Sequence, residues 1–304
     1  MQAGMTIVNQ IIKMFFMMGV GYFLYVKTIV NDETTSRLSA ILLNVSTPFT
    51  IVYSFYQVFS MEKLQGLLLS FALSAGALLI SIMTAELCFK KELKIERYAV
   101  AFPNSGFMGI PLVMGFLGES AVFYLSALIA WYYFFIWTYG VYVMSNDRKQ
   151  ITWKKIVTNP CILATFFGIL VFLLPIKIFN PIVEGIASLA SMNTPLAMLI
   201  LGAYLAKSNL LEIVQNKRAY YVSFVRQIVA SSLILILLTV VPSQYNEIKT
   251  TVLLASVAPV GVLVAVFAQI YEMDFNYAAQ IISLSTILSI FTIPVFLIMS
   301  QMIW

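Results

Sequence analysis

Two apolar stretches of the chain are interrupted by proline, glycine and small polar residues, and these interruptions are the places where chemistry could occur. The first reads FPNSGFMGIP at residues 102–111, and the second reads ASVAPVG at residues 255–261. Backbone that is unwound inside a bilayer survives only within protein or beside a watery cavity, because its N–H and C=O groups need partners. A pair of interruptions at corresponding places in two halves of a chain therefore indicates a binding site between half-helices.

In the first interruption, the residue types favour two half-helices rather than one continuous helix. Pro103 removes an N–H donor and disfavours helical geometry in the residue before it. Gly106 and Gly109 allow close approach of other groups, and Pro111 suits the first turn of a new half-helix. We therefore predict a short extended strip between two half-helices, where N–H groups and a positive dipole end favour a carboxylate.

In this strip, Asn104 and Ser105 are the residues whose side chains can form hydrogen bonds, because they have neutral donors and acceptors. In the second interruption Pro259 and Gly261 can break the helix, but apolar residues follow them. We therefore expect Asn104 to provide most of the binding. The alternative for either stretch is a proline kink in a structural helix, and the presence of two matching breaks favours half-helices.

Further polar residues lie at the middle of two other apolar stretches, beside prolines. Asn44 and Thr47 are in one stretch, and Asn193 and Thr194 are in the other. Such side chains face a cavity or bundle interior, or they bond a neighbouring helix. We expect a cavity for the second pair and leave both interpretations open for Asn44. Tyr133, in an aromatic stretch, either lines a pocket for an apolar substrate body or anchors its helix at the lipid interface.

The composition is that of a membrane protein. The chain has 304 residues, of which 61% are hydrophobic and 10% charged, whereas soluble domains are about 25% charged. It has no histidine, which removes histidine-based nucleophile activation, zinc chemistry and proton relays through histidine. Cys88 and Cys161 lack metal-ligand spacing. We expect no metal and no cofactor.

Apolar stretches long enough to cross a bilayer define ten predicted spans, numbered 1 to 10 in chain order. They fall at residues 5–26, 38–59, 65–88, 98–117, 120–144, 161–179, 181–206, 219–241, 247–271 and 276–301. The predicted fold class is thus an all-α polytopic membrane protein with ten transmembrane helices.

Basic residues orient the spans, because cytoplasmic loops are enriched in lysine and arginine. With the amino terminus outside, most positive charges fall in inner loops, at Lys27, Arg37, Lys90, Lys91, Lys94, Arg97, Arg148, Lys149, Lys154, Lys155, Lys207, Lys217 and Arg218. The outer side then has Lys63, Lys177 and Lys249, with Lys13 if it snorkels outwards. Both termini are predicted outside, and the net charge of +5 suits anionic lipid rather than a nucleic-acid partner. Arg226 is the one cation placed to meet an anion or a buried partner, but its position near the inner end of span 8 favours snorkelling.

Faint internal symmetry supports two sets of five spans, the second inverted in the membrane. Residues 46–48 in span 2 match residues 193–195 in span 7, and Gly106 in span 4 matches Gly261 in span 9. The predicted organisation has three parts: a first five-helix repeat at 1–145, a cytoplasmic linker at 146–160 and a second, inverted repeat at 161–304.

At these positions the chain resembles the auxin efflux carrier family, whose members include plant auxin carriers and bacterial malate or malonate permeases. Residues 103–112 are close to the family's PN-x-x-x-MGIPL signature, and weaker matches lie at 137–140, 193–196, 258–261 and 292–294. The resemblance implies a 5+5 inverted repeat in which spans 4 and 9 cross at their prolines. It also implies a dimerising scaffold of spans 1, 2, 6 and 7, a transport domain of spans 3–5 and 8–10, and elevator-like movement.

By the same resemblance, Asn104 binds the substrate carboxylate. The chain departs from many members just after the span-9 proline, where they have asparagine and this chain has Gly261, Val262 and Leu263. The identity of the substrate therefore does not transfer.

The sequence predicts a secondary transporter of small organic anions in the plasma membrane, rather than an enzyme. Substrate would bind near Asn104, between the crossed helices and the polar residues of spans 2 and 7. No nucleotide-binding motif is present, so the driving force would be the substrate gradient, the membrane potential, or a coupled proton or sodium ion.

Three other functions are weighed against this one. An intramembrane enzyme is disfavoured because the chain lacks histidine and paired mid-span carboxylates. A channel is disfavoured because no charged ring or filter-like repeat occurs. The remaining alternative is a transporter-like sensor that binds a small anion without moving it.

Overall fold

The structure is a computed structural model that describes residues 2–174, 178–207 and 210–304. Nearly all of these residues are helical, and no strand occurs among them. The predicted all-α membrane class is confirmed at this level. Lys177, which was assigned to the outer side, lies outside the described residues.

Among the described residues, six helices are long and apolar enough to cross a membrane. They are Asp32–Phe55, Met61–Cys88, Glu119–Ser145, Asn180–Lys207, Lys217–Thr239 and Phe275–Ile303. The other apolar helices are Gln2–Val26, Ser105–Leu117 and Pro160–Leu173, together with Lys94–Ala101, Asn246–Ser256 and Leu263–Ile270. Predicted spans 4 and 9 each coincide with two successive helices, and every other predicted span coincides with one. The number of membrane crossings stays a prediction.

Capping residues set where several helices begin. The side chains of Asn31, Ser60, Asn159 and Asp274 each accept a hydrogen bond from an N–H group of the first turn. These bonds satisfy donors that helix geometry leaves unpaired. Short helices at Arg148–Gln150, Trp153–Val157, Leu210–Gln215 and Ser243–Tyr245 join the longer ones.

Wide π-type turns interrupt the regular winding at Leu42–Ser46, Ser105–Gly109, Ile136–Gly140 and Val225–Ala230. Such turns are rare and are frequently found at functional sites. The first, second and fourth of them lie beside the polar residues described below, so the helices depart from regular geometry where the candidate site is built.

Two helices are interrupted completely. The first broken helix consists of Lys94–Ala101 and Ser105–Leu117, and the second consists of Asn246–Ser256 and Leu263–Ile270. The unwound segments between their halves, residues 102–104 and 257–262, meet in the protein interior. We call these two segments the crossing.

Candidate functional site

The two unwound segments of the crossing pair with each other like strands of an antiparallel sheet. The Asn104 N–H donates to the Pro259 carbonyl at 2.7 Å, and the Gly261 N–H donates to the Phe102 carbonyl at 3.0 Å. Unwound backbone in a membrane protein needs such internal partners. The prolines interrupt the helices, and the pairing makes the interruption tolerable.

Four helix ends meet at the crossing. Ser105–Leu117 and Leu263–Ile270 begin there and present positive amino-terminal ends, whereas Lys94–Ala101 and Asn246–Ser256 end there with negative carboxyl-terminal ends. Asn246–Ser256 packs against Ser105–Leu117, and Leu263–Ile270 packs against Lys94–Ala101. Positive and negative ends of helix dipoles therefore lie close together at the crossing, in the interior of the protein.

The side chain of Asn104 has hydrogen-bonding capacity that the protein does not use. Asn104 is 1% exposed, and its Nδ2 has no hydrogen-bond partner. Its backbone carbonyl accepts the N–H groups of both Met108 and Gly109 at 3.0 Å, which closes the wide first turn of the half-helix. A buried unpaired donor costs about 1–3 kcal/mol, so a ligand that accepts from Nδ2 would recover that energy.

The neighbours of Asn104 are placed on two sides of this turn. Ser105 is buried, and its hydroxyl donates to the Ala255 carbonyl at 3.1 Å, so it joins the two broken helices. Gly106 faces Tyr133, whose hydroxyl would lie 3.9 Å from a Cβ at this glycine. Tyr133 is buried and so faces the first broken helix rather than lipid.

Close packing explains Gly109, and Pro111 lies at the start of a regular α-helix. A Cβ on Gly109 would stand 3.3 Å from the Cα of Ala255. Pro111 lies in the first turn of the regular α-helix Ile110–Leu117, which follows the wide turn Ser105–Gly109. Its missing N–H is tolerated there, as the sequence predicts. The Pro111 carbonyl accepts from Gln10 Nε2 at 3.2 Å.

A second buried polar pair lies beside the first broken helix. Asn193 Nδ2 donates to Thr47 Oγ1 at 2.9 Å, and both residues are fully buried. The helix Asn193–Lys207 contacts the turn Ser105–Gly109, which brings this pair next to the crossing. The Oδ1 atom of Asn193 has no partner. The site thus contains an unused donor on Asn104 and an unused acceptor on Asn193.

Two predicted site residues are placed differently. Asn44 is exposed, and its Nδ2 donates to the Ala40 carbonyl of its own helix at 2.8 Å, away from the Thr47–Asn193 pair. Thr194 is half-buried. The structure brings Asn104, Ser105, Gly106, Tyr133, Thr47 and Asn193 into one region and leaves Asn44 outside it.

Arg226 corrects the expectation that it snorkels. It is 0% exposed and sits on the wide turn Val225–Ala230. Its guanidinium donates to Ser81 Oγ at 3.0 Å, to the Val100 carbonyl at 3.3 Å, and also to the Ser256 carbonyl. The prediction was wrong because it considered span 8 alone, whereas the carbonyls come from the ends of two other helices.

Three more residues support the crossing without having been predicted. Gln227 Nε2 donates to the Ser285 carbonyl at 2.5 Å, and Ser285 Oγ accepts the Val260 N–H at 3.1 Å. The hydroxyl of Tyr132 would lie 3.0 Å from a Cβ on Gly261. An arginine inside an apolar span was a visible signal for Arg226, whereas serine and glutamine in apolar helices gave no signal for Ser285 and Gln227.

A cavity of about 320 Å³ is lined by Thr50 and Ser191 from two helices and by Met114 and Glu119 beside the second half of the first broken helix. The predicted site residues are not among those that line it. Within the described part of the chain, no group of histidine, cysteine or acidic residues could hold a metal ion.

Comparison with known families agrees with this architecture. A family model described as membrane transport protein matches residues 6–152 and, again, residues 148–297. No curated protein matches the chain. Proteins of this family are transporters rather than enzymes, and the two matches together span almost the whole sequence. The chain belongs to the auxin efflux carrier-type family of membrane transport proteins.

Proposed function

We propose that this protein is a secondary transporter of small organic anions, either mono- or dicarboxylates of the auxin or malate kind. It crosses the plasma membrane ten times with both termini outside, as two inverted sets of five helices. Transport is driven by the substrate gradient, the membrane potential, or a coupled proton or sodium ion.

The observation that supports an anionic substrate is the unpartnered Nδ2 of Asn104 at the start of Ser105–Leu117. An amide donor beside a helix amino terminus suits a carboxylate, because the terminus adds N–H groups and a positive dipole end. Hydrogen bonds to a charged group are worth about 1.5–3 kcal/mol. Asn104 is then the residue that holds the substrate carboxylate.

The proposed movement is the one that the family resemblance implies. The scaffold consists of Gln2–Val26, Asp32–Phe55, Pro160–Leu173 and Asn180–Lys207, and it forms the homodimer. The remaining long helices and both broken helices form the transport domain. Asn193 lies on the scaffold and Asn104 on the transport domain, so a substrate between them would be released when the transport domain slides past the scaffold in an elevator-type cycle.

Uptake into proteoliposomes tests the proposal directly. Labelled malate, malonate and indole-acetate are supplied to wild-type protein and to Asn104→Ala, with Asn276→Ala as the matched control. Asn276 is exposed, so its loss leaves uptake unchanged. We expect Asn104→Ala to reduce uptake about tenfold or more, the effect of losing at least ~1.4 kcal/mol of binding.

Equal uptake by Asn104→Ala and wild type would exclude Asn104 as the carboxylate ligand. Absence of uptake of any organic anion, combined with saturable binding of one, would favour the sensor instead. The two outcomes are distinguished because binding is measured on the same purified protein.

A further inference from the structure

Arg226 is a buried cation for which the transport proposal gives no role. It is fully buried at the wide turn of Lys217–Thr239. In the described part of the chain no carboxylate oxygen lies within 4.0 Å of its guanidinium. An unpaired charge is expensive in an apolar interior, so whatever stabilises it must be supplied by uncharged groups.

Those uncharged groups are the carboxyl-terminal ends of the two half-helices that stop at the crossing. Nη1 of Arg226 donates to the carbonyl of Val100, near the end of Lys94–Ala101. Nη2 donates to the carbonyl of Ser256, the last residue of Asn246–Ser256. One side chain therefore joins the first broken helix to the second by their equivalent negative ends.

The charge of the Arg226 guanidinium is opposite in sign and similar in size to the partial charges of the two helix ends that it joins. A helix carboxyl terminus behaves as about −0.5 of an elementary charge, so two such ends together approach one negative charge. One guanidinium supplies one positive charge. In carriers with broken helices, carboxyl-terminal ends and unwound carbonyls of this kind coordinate the coupling sodium ion or proton.

We propose that Arg226 is the resident cation of the crossing. Its fixed charge occupies the position between the two carboxyl-terminal ends, and no metal cation binds there. The positive amino-terminal ends of Ser105–Leu117 and Leu263–Ile270 are then left without a balancing charge, which makes the crossing receptive to an anion. The inference rests on the geometry of the helix ends and does not require any particular substrate.

A substitution series on detergent-purified protein separates charge from hydrogen bonding and from volume. Arg226→Lys keeps the charge, Arg226→Gln keeps donors without charge, and Arg226→Met keeps only bulk. We expect the melting temperature of the lysine variant to stay near that of wild type, and those of the glutamine and methionine variants to fall by several degrees. Arg37→Gln is the control, because it removes the same charge from an exposed side chain (77% exposed) and should not alter melting.

A methionine variant as stable as wild type would overturn the inference, as would a glutamine variant as stable as the lysine variant. If the methionine variant does not fold, the lysine–glutamine comparison still decides the matter. A second measurement compares wild-type melting in sodium chloride and in N-methyl-glucamine chloride at equal ionic strength. We expect no difference, and a higher melting temperature in sodium would contradict a crossing that is already filled.

Discussion

At the scale of single residues, the candidate site is defined by what its polar atoms leave unused. Asn193 Nδ2 donates a hydrogen bond to Thr47 Oγ1, and Asn193 Oδ1 has no hydrogen-bond partner. The backbone N–H and carbonyl of Asn104 are hydrogen-bonded, whereas its side-chain Nδ2 has no partner. Ten buried side-chain atoms of the described residues lack a hydrogen-bond partner, and these two are the ones that the substrate proposed above would use.

The Thr47–Asn193 bond makes a stability prediction. In Thr47→Val the side-chain shape is kept, but Asn193 loses its hydrogen-bond partner and becomes unpaired on both sides of its amide. We expect a loss of about 1–3 kcal/mol in unfolding free energy, the usual cost of a buried unsatisfied polar group. Chemical unfolding in detergent, followed by tryptophan fluorescence, measures it.

Thr165→Val is the matched control for that experiment. Thr165 is equally buried, but its hydroxyl donates to the Cys161 carbonyl in its own helix, which already has a helical partner. Its replacement should cost clearly less. Equal losses of unfolding free energy in the two variants would mean that the Thr47–Asn193 bond stabilises the protein no more than a bond within one helix does.

At the scale of helices, glycines decide how closely two of them approach. Gln2–Val26 packs along Asn193–Lys207, and a Cβ on Gly21 would collide with the backbone of Leu199. A Cβ on Gly19 of the same helix would meet no atom within 4 Å. Of these two glycines, therefore, only Gly21 is needed for the close approach of the two helices.

We predict that Gly21→Ala destabilises the protein by about 1–3 kcal/mol, the typical cost of overpacking. Gly19→Ala should leave stability unchanged or raise it by up to ~1 kcal/mol, since alanine favours a helix interior over glycine. Thermal melts of the two variants side by side provide the test. If both alanines behaved alike, the close contact between these helices would not exist in solution.

How much could be predicted from the sequence depends on how local each feature is. The breaks near Pro103 and Pro259 were predictable, because proline and glycine act on their own backbone. Helix positions followed from apolar runs, and the structure places a helix at each. The burial of Arg226 was not predictable, because the carbonyls of Val100 and Ser256 that hold it are distant in sequence and converge only in the fold.

At the scale of the whole molecule, the proposed scaffold and the proposed transport domain touch at both ends. Lys207 Nζ lies 3.0 Å from Asp32 Oδ2 and 4.4 Å from the centre of the Phe275 ring. At the opposite end, the ring centres of Phe55 and Phe123 lie 4.8 Å apart, and a cavity of about 320 Å³ lies between the same two sets. The proposed elevator-type movement therefore has to exchange contacts at both ends of the molecule.

Which end faces the cytoplasm is set by charge, and this gives the last prediction. In a background without Cys88 and Cys161, single cysteines replace four exposed residues that lie at the start of a helix or in a connection between helices: Glu62, Lys149, Gln244 and Asn276. If the basic loops are inside, a membrane-impermeant maleimide applied to intact cells should label the cysteines at Glu62 and Gln244. Those at Lys149 and Asn276 should be labelled only after permeabilisation.

The choice of positions also tests inversion, because one outer and one inner site precede the second repeat (Glu62 in the first repeat and Lys149 in the linker) and one outer and one inner site lie within it (Gln244 and Asn276). The reversed pattern would place the cavity end of the molecule in the cytoplasm and refute the charge-based orientation. Labelling that agrees in one half and reverses in the other would mean that an even number of crossings separates equivalent points of the two halves. In that case the halves would be parallel, and the opposed helix ends that meet at Arg226 could not be related by inverted symmetry.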